Sequence, residues 1–165
     1  MKTSASWRAV HNPRVRLSAK ADYAIRAAVE LAAHTDAHMK ADRIAAAQEI
    51  PLRFLEHILL DLRNAQLVNS RRGAEGGYRL ARPPDEVTLA DVIRAVEGPL
   101  ANVRGARPET LDYTGSAESL REVFVALRAS IRAVLERVTL ADVASGQLPD
   151  VVHELTGDAD AWSPH

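Results

Sequence analysis

The sequence predicts a mainly α fold carrying one small β-hairpin, and three observations support it. Apolar-periodic segments succeed one another through residues 17–66, interrupted by the proline break Ile50-Pro51. Two strand-like runs, LVNSR (67–71) and GYRL (77–80), then bracket three of the chain's eight glycines, Gly73, Gly76 and Gly77. A long amphipathic segment occupies 116–138. Helix, break, helix and hairpin in that order spell a winged helix-turn-helix domain, followed here by a long dimerisation helix.

Taken in order, residues 1–14 include Asn12-Pro13, show no periodicity and read as a flexible arm. The natural start is open between Met1 and Val15, since the patterned region begins abruptly at VRLSAKADYA. Residues 15–98 form the winged unit. Its first helix covers 17–34, with Ser18 as N-cap and Tyr23, Ile25, Ala28, Val29, Leu31 and Ala32 as a buried stripe. A short helix over 41–49 ends at Ile50-Pro51, because the residue before proline resists the helical region and proline suits a first helical position. The third helix spans 52–66, with Leu55, Ile58, Leu59 and Leu62 facing inward at three- and four-residue steps.

The hairpin is followed by Pro83-Pro84 and a helix over 88–98, capped by Thr88 and stopped by Gly98-Pro99. Residues 99–115 read as a loop without pattern, and 116–145 as the dimerisation region, with Thr139 capping a short helix at its end. The tail 146–165 reads as poorly ordered.

Composition narrows the function. Hydrophobic residues at 47% and charged residues at 26% describe a soluble globular chain. No apolar run approaches the roughly 18 residues of a membrane span, and the N-terminus has no secretory h-region, so the cytoplasm is expected and no membrane partner. Zero cysteines remove disulfides, thiolate metal sites and cysteine nucleophiles together. Net charge is −1, but residues 1–82 hold 14 Lys and Arg against 8 Asp and Glu, a net +6, while residues 83–165 are net −7. A polyanion would therefore meet the first half.

Catalysis is not expected: there is no Ser-His-Asp order in a pocket-like context, no HExxH and no recognisable carboxylate pair. The glycine stretch lacks the strand-glycine-helix order of a phosphate loop. His34 and His38 stand four apart, but Thr35-Asp36 reads as a helix end and no third ligand is placeable, so no metal is expected.

Double-stranded DNA fits these residues. The third helix would enter the major groove, with Arg53 placed to donate bidentately to guanine and His57 to reach a base edge or a phosphate. Gly73, Gly76 and Gly77 suit a tip needing positive φ and close backbone approach. Arg71 and Arg72 enter that tip and Arg79 leaves it, so the finger would lie along the backbone or dip into a minor groove, where narrow geometry favours Arg. A winged helix used for protein–protein contact, with the acidic half as partner surface, is the alternative.

From Leu17 to Thr139 the chain resembles the Rrf-two family of bacterial winged-helix transcriptional regulators. The carriers are LSAKADYAIRAAVELA, IPLRFLEHILLDLRNAQLVNS and the string RxGxxGGYxLARPPxxVTLxDVIxAVEG at 71–98. The resemblance implies a homodimer, a palindromic operator and transcriptional repression. It places Arg53, Phe54 and His57 on the DNA-facing side of the recognition helix and Glu56 where bases are excluded or accepted. It gives Arg63 a phosphate and Ser70, Arg71, Arg72 and the glycine tip the wing contacts. Lys20 and Tyr23 would also touch the DNA backbone.

Many members hold an iron–sulfur cluster through three cysteines in the loop after VEGP. Here that loop reads LANVRGARPETLDYTG, without cysteine. Asp22 matches an acidic cluster ligand of some relatives, but one carboxylate cannot retain a unit that needs sulfur or imidazole ligation, so no cofactor is expected. Arg104, Arg107 and Tyr113 form a candidate effector loop for an anion, if that loop is not simply flexible. Leu120, Phe124, Leu127, Ile131, Val134 and Val138 step by four and three, a heptad-like seam for a second helix unless the domain's own core absorbs it.

Overall fold

The computed structural model describes residues 17–164; the expected arm and the question of the start lie outside them. Helix α1 (Ala19–Ala33) is the centre, touching α2 (Ala41–Gln48), α3 (Leu52–Asn64), α4 (Leu89–Glu97), α6 (Leu140–Ser145) and the hairpin strand β2 (Gly77–Leu80). Ser18 caps α1 as its sequence suggested, its hydroxyl accepting from the Ala21 N–H at 3.0 Å. The buried face differs from the expected stripe. Ala21, Ala24, Ala27, Ala28, Leu31 and Ala32 are buried, while Tyr23, Ile25 and Val29 are only half-buried. Interaxial distance follows side-chain size, so a helix surrounded on several sides presents methyl groups to its neighbours.

Helix α2 ends at Glu49, which takes the left-handed conformation (φ 52°), and the Ile50 N–H returns to the Ala45 carbonyl at 2.9 Å. Ile50 is thereby buried, pinning the turn before α3 begins. Leu55, Ile58, Leu59 and Leu62 fill the core as their periodicity predicts. Strand β1 (Val68–Arg71) pairs antiparallel with β2 in the register Val68–Leu80 to Arg71–Gly77. A third piece of extended chain joins them: Met39 and Tyr78 exchange N–H···O bonds of 2.8 and 2.7 Å.

Two identical hexapeptides organise the back of the molecule. VTLADV occurs at 87–92 and again at 138–143. In both copies the threonine hydroxyl accepts from the aspartate N–H and the aspartate carboxylate accepts from the threonine N–H, completing a capping box at the start of α4 and of α6. The copies also pair with each other: Leu89 donates to the Val138 carbonyl (3.0 Å) and Leu140 to the Val87 carbonyl (2.9 Å). Val87, Val138 and Leu140 are buried as a result, and Leu140 belongs to the same core as α1 and α3.

That pairing corrects the expected seam. Helix α5 spans Leu120–Leu135 rather than 116–138, preceded by a 3-10 turn at Gly115–Ala117. Val138 lies beyond it in extended pairing and cannot serve a helix seam. The tail is corrected too: α7 (Asp150–Thr156) lies against α5, and the Trp162 indole N–H donates to the Thr156 carbonyl at 2.8 Å. No described helix is long and apolar enough to cross a membrane.

Helix α5 is tied to α4 through Glu136, whose carboxylate accepts from Arg132 at 2.9 Å and also from Arg94. Those two hydrogen bonds, Arg132's first, hold its pKa at about 2, below the ordinary 4.5. Its contribution to stability is present above about 4.5 and is lost as pH falls towards about 2. Glu136→Gln should therefore lower the thermal midpoint at neutral pH, with the difference from wild type shrinking as pH falls through that window. A difference that persists unchanged to the acid end contradicts this role for the carboxylate.

Candidate nucleic-acid interface

Helices α2 and α3 with their left-handed turn form a helix-turn-helix, and α3 divides cleanly by face. With four aliphatic side chains turned inward, Arg53, Phe54, Glu56, His57, Leu60 and Arg63 are exposed. Pro51 precedes the first turn and its carbonyl accepts from Phe54 (3.0 Å) and Leu55 (3.1 Å), so the helix starts where its side chains are needed. Phe54 is 63% exposed. Its ring stands 6.5 Å from that of Tyr23, and the Arg26 guanidinium covers the Tyr23 ring at 5.0 Å. Arg26 also pairs with Asp22 at 2.9 Å and donates to the Gln48 carbonyl at the end of α2, bracing the first two helices.

The hairpin lies beside α3, with Arg63 at the helix's last turn reaching towards the Ser70 hydroxyl at 3.4 Å. Arg71, Arg72 and Arg79 are exposed, Arg79 standing opposite Asn69 in the register. The three glycines do different work. Gly73 has φ 102° and open space around it. Gly76 has no such conformation; a Cβ there would collide with the backbone of Arg71, Arg72 and Gly73, so the tip closes only on hydrogen. Gly77 has φ 139°, and a Cβ there would overlap the Met39 carbonyl. It is the position where the hairpin meets its third strand.

Lys20 is held within the fold, with 44% of its side chain still exposed. Its ammonium pairs with Asp61 at 2.8 Å and donates to the Val96 carbonyl at 2.9 Å, linking α1, α3 and the C-terminal end of α4, where a cation is favourable. Met39, which anchors the hairpin, escaped sequence reasoning because its part is played by backbone. Arg43 and Lys40 at the start of α2 are further exposed cations on the helix-turn-helix.

The loop after α4 contains a 3-10 turn at Pro108–Thr110. Arg104 (φ 53°) and Gly105 (φ 79°) turn it tightly, closed by two 3.0 Å bonds between Val103 and Ala106, and Pro108 and Leu111 are buried. Of the three expected effector residues, Arg104 stacks over Tyr113 at 5.8 Å and Tyr113 stands 6.0 Å from Phe124, whereas Arg107 turns to a separate cleft. On α5, Leu120, Val123, Val125 and Leu127 are exposed, but Phe124, Ile131 and Val134 are half-buried. The seam is thus split between the chain's own body and a free face.

A helix-turn-helix with a glycine-tipped, arginine-flanked wing defines a DNA-binding transcriptional regulator rather than an enzyme. The chain belongs to the Rrf2 family: the family model, described as an iron-dependent transcriptional regulator, matches residues 17–146. A Mycobacterium tuberculosis protein bearing the name of an HTH-type transcriptional regulator is 53% identical over 145 residues, covering 87% of this chain and 90% of that one. The solved structure of CymR, the global cysteine regulator of Bacillus subtilis, superposes with a TM-score of 0.69 at 35% identity, covering 81% and 99% of the two chains. That of IscR from T. potens gives 0.65 at 32% identity, covering 82% and 93%.

The loop after α4 does not supply donors for the iron–sulfur cluster that the family's description suggests. Residues 99–115 contain neither cysteine nor histidine, and Asp22 is engaged by Arg26. Carboxylates and guanidinium groups offer an iron–sulfur unit no soft ligand.

Proposed function

We propose that the protein is a repressor that binds a palindromic operator as a homodimer, without an iron–sulfur cluster. The observation that carries this reading is the exposed face of α3, Arg53, Phe54, Glu56 and His57, lying beside a wing that presents Arg71, Arg72 and Arg79. In this reading α3 reads base edges in the major groove, with Arg53 donating to a guanine and Glu56 selecting against or accepting bases by its charge. Phe54 and Tyr23 supply apolar contact at the groove edge, and His57 lies one turn further along. Arg63, Ser70 and the wing from Arg71 to Gly77 hold the phosphates or reach an adjacent minor groove. Lys20, held by Asp61 and the Val96 carbonyl, would touch the DNA backbone.

A palindrome follows from two-fold pairing through the exposed face of α5, which would set two α3 helices about 34–36 Å or a multiple of that apart. Selection of bound duplexes from a random pool, followed by affinity measurement across salt concentrations, tests the reading. The expected result is two inverted half-sites and an affinity that falls linearly on a log–log salt plot, since phosphate neutralisation releases counterions. Failure to bind any duplex at low ionic strength refutes it.

Two arginines then separate the roles. Arg53→Ala should cost about 1–3 kcal/mol and relax preference at one base position per half-site. Arg72→Ala should weaken all sequences alike and flatten the salt slope by about one charge. A base-selective loss at Arg72 would reverse that assignment.

A further inference from the structure

Away from α3 and the wing, one cleft of about 290 Å³ is lined by four arginines. It opens where the end of α4, the loop after it and α5 meet, and Arg94, Arg107, Arg128 and Arg132 line it around the Gly98–Leu100 turn. These are four of the seven arginines in the otherwise acidic half of the chain. Three carboxylates face them. Glu136 takes Arg94 and Arg132, Glu109 takes Arg128 at 2.5 Å, and Asp91 stands 4.0 Å from Arg94. Arg107 is left over: among the described residues its guanidinium makes no hydrogen bond and no ion pair.

A structural brace would balance its charges, and this one sets four guanidinium groups against three carboxylates, with Arg107 lining the cleft and acting on Glu109 without forming an ion pair. Planar guanidinium forks match the geometry of carboxylate and phosphate oxygens in pairs. We propose that this cleft binds a small oxyanion with at least two negative charges, a phosphate monoester or a dicarboxylate, with Arg107 as the residue that meets it. Arg128 is its nearest helper from α5, being the most enclosed of the ion-paired guanidinium groups there, and Arg94 the helper from α4. The ligand would bridge α4, which belongs to the winged unit, and α5, which carries the free apolar face. Its occupancy would therefore set the angle between them and the separation of two recognition helices; this second step rests on the dimeric DNA-binding reading, whereas anion binding does not.

Thermal unfolding of the full chain with inorganic phosphate or succinate, against sodium chloride at matched ionic strength, is the direct test. A saturable rise in midpoint beyond chloride is expected from at least one anion, and which one responds identifies the phosphate or the carboxylate class. Arg107→Ala should leave the anion-free midpoint unchanged and raise the half-saturating concentration about tenfold or more, the loss of a charge-assisted hydrogen bond. Arg107→Lys, which keeps the charge but not the fork, should fall between. No saturable rise from either anion, or an undiminished rise in Arg107→Ala, overturns the site. Saturation that leaves duplex affinity unchanged overturns the coupling alone, and saturation in a protein that ignores every duplex points to the DNA-binding reading as the part that failed.

Discussion

Leu127→Asp is expected to yield monomers and to lower operator affinity by about 10²–10⁴, because the second half-site contact becomes intermolecular again. Leu127 sits in the middle of α5, which has no buried residue of its own, with Leu120 and Val123 exposed on the same side. A carboxylate there remains hydrated in the monomer but would be stripped of water in a helix–helix seam without a partner, at a cost of several kcal/mol. Since Leu127 contributes nothing to the core around α1, circular dichroism should stay native-like while sedimentation reports half the mass. A folded variant that remains dimeric, or a monomer that binds the operator normally, removes α5 from the proposed assembly. The structure also says which neighbours matter: Val123→Asp should reproduce the effect, whereas Val138→Asp should unfold the protein, being buried beside the VTLADV pairing.

The second large effect is expected at Gly77. Alanine there must adopt φ 139° and place its Cβ on the Met39 carbonyl, so the Met39–Tyr78 exchange of hydrogen bonds has to open. Backbone strain of about 1–3 kcal/mol and the loss of two hydrogen bonds near 1 kcal/mol each make about 3–5 kcal/mol together. For a domain of this size that lowers the thermal midpoint by roughly 6–20 °C. DNA affinity should fall with it, as the wing loses its backbone bridge to Met39. Gly73→Ala is the control: its φ of 102° brings strain, but nothing lies within 4 Å of the added methyl, so the loss should be the smaller of the two. Equal midpoints for the two variants would show that the approach to Met39 is not what the glycine protects.

Much of the candidate surface was legible because it is encoded locally. The inward face of α3 follows from the spacing of Leu55, Ile58, Leu59 and Leu62, and its outward face from what is left over. The hairpin follows from two short strands and their glycines, and the caps at Ser18, Thr88 and Thr139 from hydroxyls three residues before a helical N–H. The duplicated VTLADV was also visible as text and would have pointed to the α4–α6 pairing, but repetition says nothing about which copy faces which.

Residue order alone determined the helix, break, helix and hairpin succession, the outward set of side chains on α3 and the lack of any cysteine, since each rests on contacts within about one helical turn or on composition. Tertiary structure alone decided that alanines line α1, that Val138 and Leu140 join the core, that Lys20 pairs with Asp61, and that Arg107 rather than Arg104 meets the arginines of α4 and α5. Those outcomes depend on how segments well separated in the sequence dock, and helix docking is chosen by the fit of whole faces, which no short window of sequence contains.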